Sequence, residues 1–182
     1  MTPNATRNDA DALYPGAPQT ALLDTELQRA HAAAAGVLDP EIPVLTIADL
    51  GVLRRVRCEA GQIIVEITPT YTGCPATSAI HLAVEAALLE AGIAEARVVQ
   101  VLAPPWSTDD ITDEGRRKLL AYGIAPPRSR GKGALLFGED VVACPRCGSK
   151  NTSRISEFGS TACKALWRCE ACLEPFDYFK CL

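Results

Sequence analysis

The sequence predicts an α+β fold in two parts: a small body of helices packed on a mixed sheet, then a short cysteine-rich tail of different composition. Three observations predict it. Helical and strand-like apolar periodicities alternate between residues 19 and 125. A proline- and glycine-rich stretch with Arg128, Arg130 and Lys132 follows at 126–138 and reads as a linker. Beyond it, the last 39 residues hold six of the eight cysteines, and six of the ten aromatic residues lie at or after Phe137. A chain of 182 residues has room for a domain of about 130 residues plus a module too short to bury a core of its own.

Taken in order, residues 1–18 carry Asn, Asp, Pro and Gly with little to bury and read as a disordered leader. Leu and Ala repeat over 19–37 as in a helix, stopped by Gly36 and Asp39-Pro40. Residues 52–58 and 62–68 form a hairpin around Glu59-Ala60-Gly61, with Ile63, Val65 and Ile67 sharing one face. Ile80, Ala83, Val84, Ala87, Leu88 and Ala91 recur at helical spacing between Pro75 and Gly92. The almost continuous apolar run at 96–102 predicts a strand buried on both faces. A third helix is expected from Ser107 or Thr108 to Gly123. Asp109, Asp110, Asp113 and Glu114 lie at its start and Arg116, Arg117 and Lys118 later, the order a helix dipole favours.

Composition excludes several functions. No run of about 18 uncharged apolar residues is present to span a membrane. The first 18 residues lack the basic and apolar regions of a secretory signal. This points to a reducing, cytoplasmic compartment, where clustered cysteines serve metals or chemistry more often than disulfides. The formal charge of −4 argues against nucleic acid, as does a tail with six Lys plus Arg against five Asp plus Glu over 140–182.

Cys144-Pro-Arg-Cys147 and Cys169-Glu-Ala-Cys172 are two C-x-x-C pairs separated by 21 residues. This is a zinc-ribbon arrangement over 139–182, in which two tight knuckles aim four thiolates at one ion and leave no open position. Such a site is structural, and metal binding supplies the folding free energy that so small a core lacks. Iron at the same four sulfurs is the rival. Cys163 and Cys181 remain, either as small buried residues or as a redox-active or alternative ligand pair.

Cys74 stands between a strand and the helix at Pro75, next to an N-cap, where unpaired N–H groups and the helix dipole favour a thiolate. Such a sulfur binds iron or attacks an electrophile; the alternative is a small residue capping a helix. His81 sits about two turns along, beyond reach for a Cys-His hydrolase, and suits pairing with Glu85. Locally, Asp39-Pro40 explains a helix stop and Asp49-Leu-Gly51 a turn into a strand.

Asp39-Pro-Glu41-Ile-Pro-Val, Asp49-Leu-Gly51-Val and Thr68-Pro-Thr-Tyr-Thr-Gly-Cys74-Pro75 stand in an order and at spacings that resemble the SufT-like iron-sulfur assembly family over about residues 20–125. The tail, with Phe158-Gly-Ser-Thr-Ala-Cys163-Lys and Glu174-Pro-Phe-Asp-Tyr-Phe-Lys180-Cys around the C-x-x-C pairs, is similar to the D-subunit family of the multicomponent phenylacetyl-CoA epoxidase. Pro105-Trp106-Ser and Gly123-Ile-Ala-Pro-Pro127 are similar to that family's middle section.

The resemblance implies a small iron-sulfur-assembly-type α+β domain over 19–125, a structural zinc in the ribbon, and Cys74 as the residue that transiently holds iron or an iron-sulfur cluster. It implies that Asp39, Glu41 and Asp49 shape the same face. Implied partners are the other epoxidase subunits, with maturation of the iron-sulfur reductase or di-iron oxygenase subunit as the role. The alternative is an integral structural or catalytic component of the working complex. The sequence agrees by omission. Neither His31 nor His81 follows a glutamate at the spacing of a di-iron helix motif, and no glycine fingerprint or P-loop is present. One thiolate cannot complete a four-cysteine cluster shell, so a cluster would need borrowed ligands or a homodimer.

Overall fold

The computed structural model describes residues 19–127 and 141–180, with backbone alone for 19–22. The expected leader, most of the expected linker, and Cys181 lie outside the described residues. The architecture is mixed α+β, with a three-stranded sheet in the body and a four-stranded sheet in the tail.

The chain begins with α1 (Gln19–Ala35), followed by a long connection and the hairpin β1 (Leu53–Glu59) and β2 (Gln62–Ile67). Ala60 and Gly61 both adopt positive φ, 51° and 83°, the geometry of a tight hairpin turn whose twist matches its strands. Helix α2 (Ala76–Glu90) then crosses over to β3 (Arg97–Gln100), which pairs parallel to β2. β2 is therefore the central strand, and Ile63, Ile64, Val65 and Ile67 are all buried. Helix α2 buries Ala76, Ile80, Val84 and Leu88, with Ala87 and Ala91 packed at the margin of the core. Ala83 falls on the exposed side.

Two expectations need correction. β3 is an edge strand of four residues, and of these only Val98 is fully buried. Its apolar run reflects neighbours that lie beyond the paired segment, where Leu102 is exposed. The third helix is also broken. Thr108–Asp110 form a single 3-10 turn, and α3 spans Asp113–Tyr122. The break follows from Ile111, which is extended and only 3 % exposed because the core takes it. Thr112 then restarts the helix by accepting from the Gly115 N–H at 3.0 Å. Gly123 ends α3 at φ 89°, as the pattern predicts.

The second sheet is ordered β4 (Ile124–Ala125), β7 (Pro175–Phe179), β6 (Lys164–Cys169), β5 (Thr152–Ser156). Its first strand comes from the end of the body and runs parallel to β7. The two sheets also share apolar packing: Cys163 and Phe179 of the tail belong to the same buried cluster as Ile42, Val65 and Trp106. The Trp106 and Phe179 rings lie 6.2 Å apart at 57°, and Trp106 Nε1 donates to the Leu50 carbonyl at 2.8 Å. A smaller cluster of Ala125, Val142, Trp167, Phe176 and Tyr178 fills the tail itself.

Candidate functional site

Two knuckles in the tail repeat one backbone pattern. In the first, the Cys144 N–H donates to Ser149 O and the Gly148 N–H to Cys144 O, both at 2.9 Å. In the second, the Cys169 N–H donates to Glu174 O at 3.0 Å and the Leu173 N–H to Cys169 O at 2.9 Å. The residue after each second cysteine is left-handed, Gly148 at φ 74° and Leu173 at φ 63°. The Sγ atoms of Cys144, Cys147, Cys169 and Cys172 consequently all lie within 4.8 Å of one another, with Cys147–Cys169 at 3.5 Å and Cys144–Cys172 at 3.8 Å. A tetrahedral ion with zinc-sulfur bonds of about 2.3 Å needs edges of about 3.8 Å, so the four thiols fit zinc in both number and spacing. Backbone N–H groups of Cys172 and Ala171 hold the Cys169 thiol down at about 6, although burial opposes them.

In the body, the loop at the carboxyl end of β2 leads into α2 and carries Cys74. Pro75 is the N-cap, one residue before the first helical residue, and Cys74 is half-buried. Cys74 lines a small pocket with Asp39, Thr68, Thr70, Thr77 and Ile80. The pocket's volume for the centre of a water-sized guest is about 10 Å³, which admits one water or one ion. Thr68 is 1 % exposed, and its hydroxyl has no hydrogen-bond partner among the described residues. An unpaired buried hydroxyl costs roughly 1–3 kcal/mol, and this one sits in the wall of the pocket.

Asp39 Oδ1 accepts from the N–H groups of Glu41 and Ile42 at 2.9 and 2.8 Å, which folds the 39–42 turn over the pocket. Burial pushes the Asp39 carboxyl above its ordinary value, against those two hydrogen bonds and the nearby Lys164 ammonium. Glu41 faces the tail, where its Oε2 accepts from the Cys163 thiol at 3.5 Å. Burial, with Glu41 alongside, pushes the Cys163 thiol up to about 11, despite the Thr161 hydroxyl at 3.0 Å. Burial pushes the Tyr71 hydroxyl above its ordinary value, and the nearby Cys74, Glu41 and Cys163 act in the same direction.

Asp49 is placed differently. Its Oδ2 accepts from Lys118 Nζ at 2.7 Å and from the Thr46 N–H at 2.9 Å, and its carbonyl accepts from the Thr112 N–H at 2.9 Å. Burial raises its pKa, but the Lys118 and Thr46 hydrogen bonds outweigh that and hold the carboxyl below its ordinary value. Asp49 thus fastens the 46–49 turn to α3, while Asp39 shares the pocket with Cys74 and Glu41 reaches toward Cys163. Gly115 permits this, because a Cβ there would meet the Asp49 carbonyl at 2.8 Å. His81 bonds the Val98 carbonyl at 3.1 Å and faces Glu85 at 3.6 Å, away from the residues around Cys74. Sequence reasoning passes over Thr68 and Tyr71, although both stand in the Cys74 motif. It leaves Cys163 unassigned because its partner is 122 positions away.

A family model described as the PaaD zinc beta ribbon domain matches residues 128–180, and one described as an iron-sulfur cluster assembly protein matches residues 14–103. An Escherichia coli (strain K12) protein named "Putative 1,2-phenylacetyl-CoA epoxidase", as its D subunit, is 51% identical over 144 residues, covering 79% of this chain and 86% of that protein. The chain belongs to the D-subunit family of phenylacetyl-CoA epoxidase. Among solved structures, a Bacillus anthracis domain of unknown function, DUF59, is 24% identical with a TM-score of 0.50, covering 55% of this chain and 96% of its own. That likeness bears on the fold of the body. A Mycobacterium tuberculosis protein, titled as associated with Fe-S complex assembly and repair, is 30% identical with a TM-score of 0.32, covering 61% of this chain and 93% of its own. In this member of the D-subunit family, no described helix is long and apolar enough to cross a membrane.

Proposed function

We propose that this chain is an accessory subunit of a phenylacetyl-CoA ring-epoxidising monooxygenase system in phenylacetate catabolism, and that it matures the iron-sulfur or di-iron centre of a partner subunit. In this reading Cys74 is the thiol that takes iron and hands it on. Asp39 and Glu41 supply carboxylates beside it, and Asp49 holds the loop that carries them. Cys144, Cys147, Cys169 and Cys172 hold a structural zinc that keeps the tail folded against the body.

The observation that carries the reading is the pocket at the start of α2. It gathers a half-buried thiol, a carboxylate and an unpartnered threonine hydroxyl around space for a single ion. Membership of the epoxidase family supplies the pathway. The test is to replace Cys74 with serine and measure iron and sulfide in the epoxidase subunits made in the same cells. Reduced occupancy with impaired growth on phenylacetate is expected; full occupancy with normal growth rejects the reading.

A second reading, favoured by the word subunit in the relative's name, makes the chain an integral part of the working complex. Reconstitution separates the two. Turnover by purified, metal-loaded partner subunits without this chain supports maturation, whereas a stoichiometric requirement for it supports the second reading.

A further inference from the structure

Val52, Ile67 and Ile80 line one part of the pocket at Cys74, and Asp39, Thr68 and Cys74 bring polar atoms to it. Thr68 continues the sheet, since its N–H donates to the Val52 carbonyl at 2.8 Å. Its backbone donor is paired, but its hydroxyl, in a side chain only 1 % exposed, has no partner among the described residues. Valine has nearly the same shape, suits a position at the end of a buried strand, and carries no unpaired oxygen. Packing alone therefore gives no reason for a hydroxyl here, whereas a guest able to hydrogen-bond does. Asp39 offers such a guest a second group, because both N–H groups of its turn bond Oδ1 and neither engages Oδ2. Size narrows the guest further. The space, about 10 Å³ for the centre of a water-sized guest, takes one small species. An iron-sulfur cluster fits neither that space nor a donor set with a single thiol.

We propose that the Cys74 site takes its cargo as a single hydrated divalent ion, iron(II) in the cell, and not as a preformed cluster, and that the Thr68 hydroxyl holds a water which that ion keeps. This rests on the reading of Cys74 as the iron-holding thiol and adds the class of cargo to it. The ion bonds the half-buried sulfur of Cys74, and its retained water fills the pocket. That water bonds the ion through its oxygen and donates to Thr68 Oγ1 and Asp39 Oδ2, which gives it the partners a buried water needs. Loading is ligand exchange without redox: the Cys74 thiol loses its proton to solvent, one metal-sulfur bond forms, and one metal-water bond breaks. A single protein bond to the metal, backed by a held water, leaves the other positions to solvent or to a receiving protein. The closed ribbon site leaves none.

The experiment uses the full chain, purified anaerobically with its ribbon saturated with zinc, titrated with cobalt(II) and followed by thiolate-to-cobalt charge-transfer absorption. One further equivalent is expected, with the intensity of one thiolate, and Cys74→Ser should abolish it. Thr68→Val should leave that absorption in place but weaken binding about fivefold, the worth of one hydrogen bond. Thr68→Ser, which keeps the hydroxyl, should restore the affinity. Without cobalt, Thr68→Val should melt at or above the wild-type temperature, and it should gain less from added cobalt; a merely structural threonine would not separate these two effects. In a second arm, the chain is incubated with iron(II) and sulfide and then desalted, and it should retain iron without sulfide. If Thr68→Val binds cobalt as wild type does, or the chain retains sulfide with its iron, while Cys74→Ser loses the metal, the inference is overturned and the reading of Cys74 stands. If Cys74→Ser keeps the metal, or the wild type takes none, that reading fails and the inference fails with it.

Discussion

The ribbon collects its four sulfurs from two local turns of the same backbone pattern, the cysteines of each pair three positions apart, and brings them within 4.8 Å. The pocket at Cys74 instead draws Asp39 from the 39–42 turn and Thr68, Thr70 and Cys74 from the loop before α2. The difference is one of donor set as well as distance. A site built from local knuckles, closed on all sides, suits an ion that stays. A pocket that gathers one thiol, one carboxylate and an unpaired buried hydroxyl offers an incomplete set of donors, and the unpaired hydroxyl carries a cost that a polar guest would offset.

The sharpest way to break this comparison is to remove the ribbon's metal. Chelation, or Cys169→Ser, is expected to unfold the tail outright, because apparent zinc-binding energies in such small modules run to roughly 10–16 kcal/mol at neutral pH. Circular dichroism should lose the tail's strand signal, whereas Cys74→Ser should keep it and shift stability by less than about 1 kcal/mol. A tail that stays folded without metal refutes the structural role. Next in size is the joint between the two parts. Trp106→Ala should cost about 3–5 kcal/mol in urea denaturation, since it opens a cavity against Phe179 and frees the Leu50 carbonyl. A loss under about 1 kcal/mol would mean that body and tail do not depend on each other.

The two aspartates give a smaller, pH-dependent contrast. Asp49 is held below its ordinary pKa, so its contribution is present above the unfolded carboxylate range and is lost as pH falls through the folded value. Asp39 is held above its ordinary pKa, so the folded state binds the extra proton and its ionised form costs stability as pH rises through that raised value. Asp49→Asn should therefore destabilise at pH 7 by about 1–3 kcal/mol, the worth of a hydrogen bond to a charged group. Asp39→Asn should be neutral or stabilising, with Oδ1 still able to accept from Glu41 and Ile42. Equal losses in the two variants would contradict the assignment of Asp49 to structure and Asp39 to the pocket. The smallest effect compares the knuckles themselves. Gly148→Ala should lose about 1 kcal/mol at its left-handed position, while Leu173→Gly, at an exposed left-handed position, should gain up to about 1 kcal/mol in thermal unfolding.

What was legible in the sequence follows the same division. The Cys144, Cys147, Cys169 and Cys172 group could be read from spacing because a C-x-x-C knuckle is a local object, and α2 could be read because four of its apolar positions face one core. The break before α3 was hidden, since charge order favoured a continuous helix and only tertiary demand for Ile111 interrupts it. The edge position of β3 was hidden too, because apolar content cannot distinguish a central strand from the margin of a sheet. Cys163 could not be assigned from its neighbours, as Glu41 becomes its partner only when the tail folds back across the body.

That fold-back has a consequence for biosynthesis. The 39–42 turn, Tyr71, Cys74 and Trp106 all leave the ribosome before Cys163 and Phe179 exist, and N-terminal units fold first. A nascent body would therefore wait with part of its core and the Trp106 face bare until the tail, held by the metal its four cysteines would bind, brings Cys163 and Phe179 into place. Cells short of zinc would accumulate chains with a finished body and an uncovered Trp106 face. Under the proposed maturation role, their failure would present as a shortage of iron in a partner subunit, although the metal in short supply is another one.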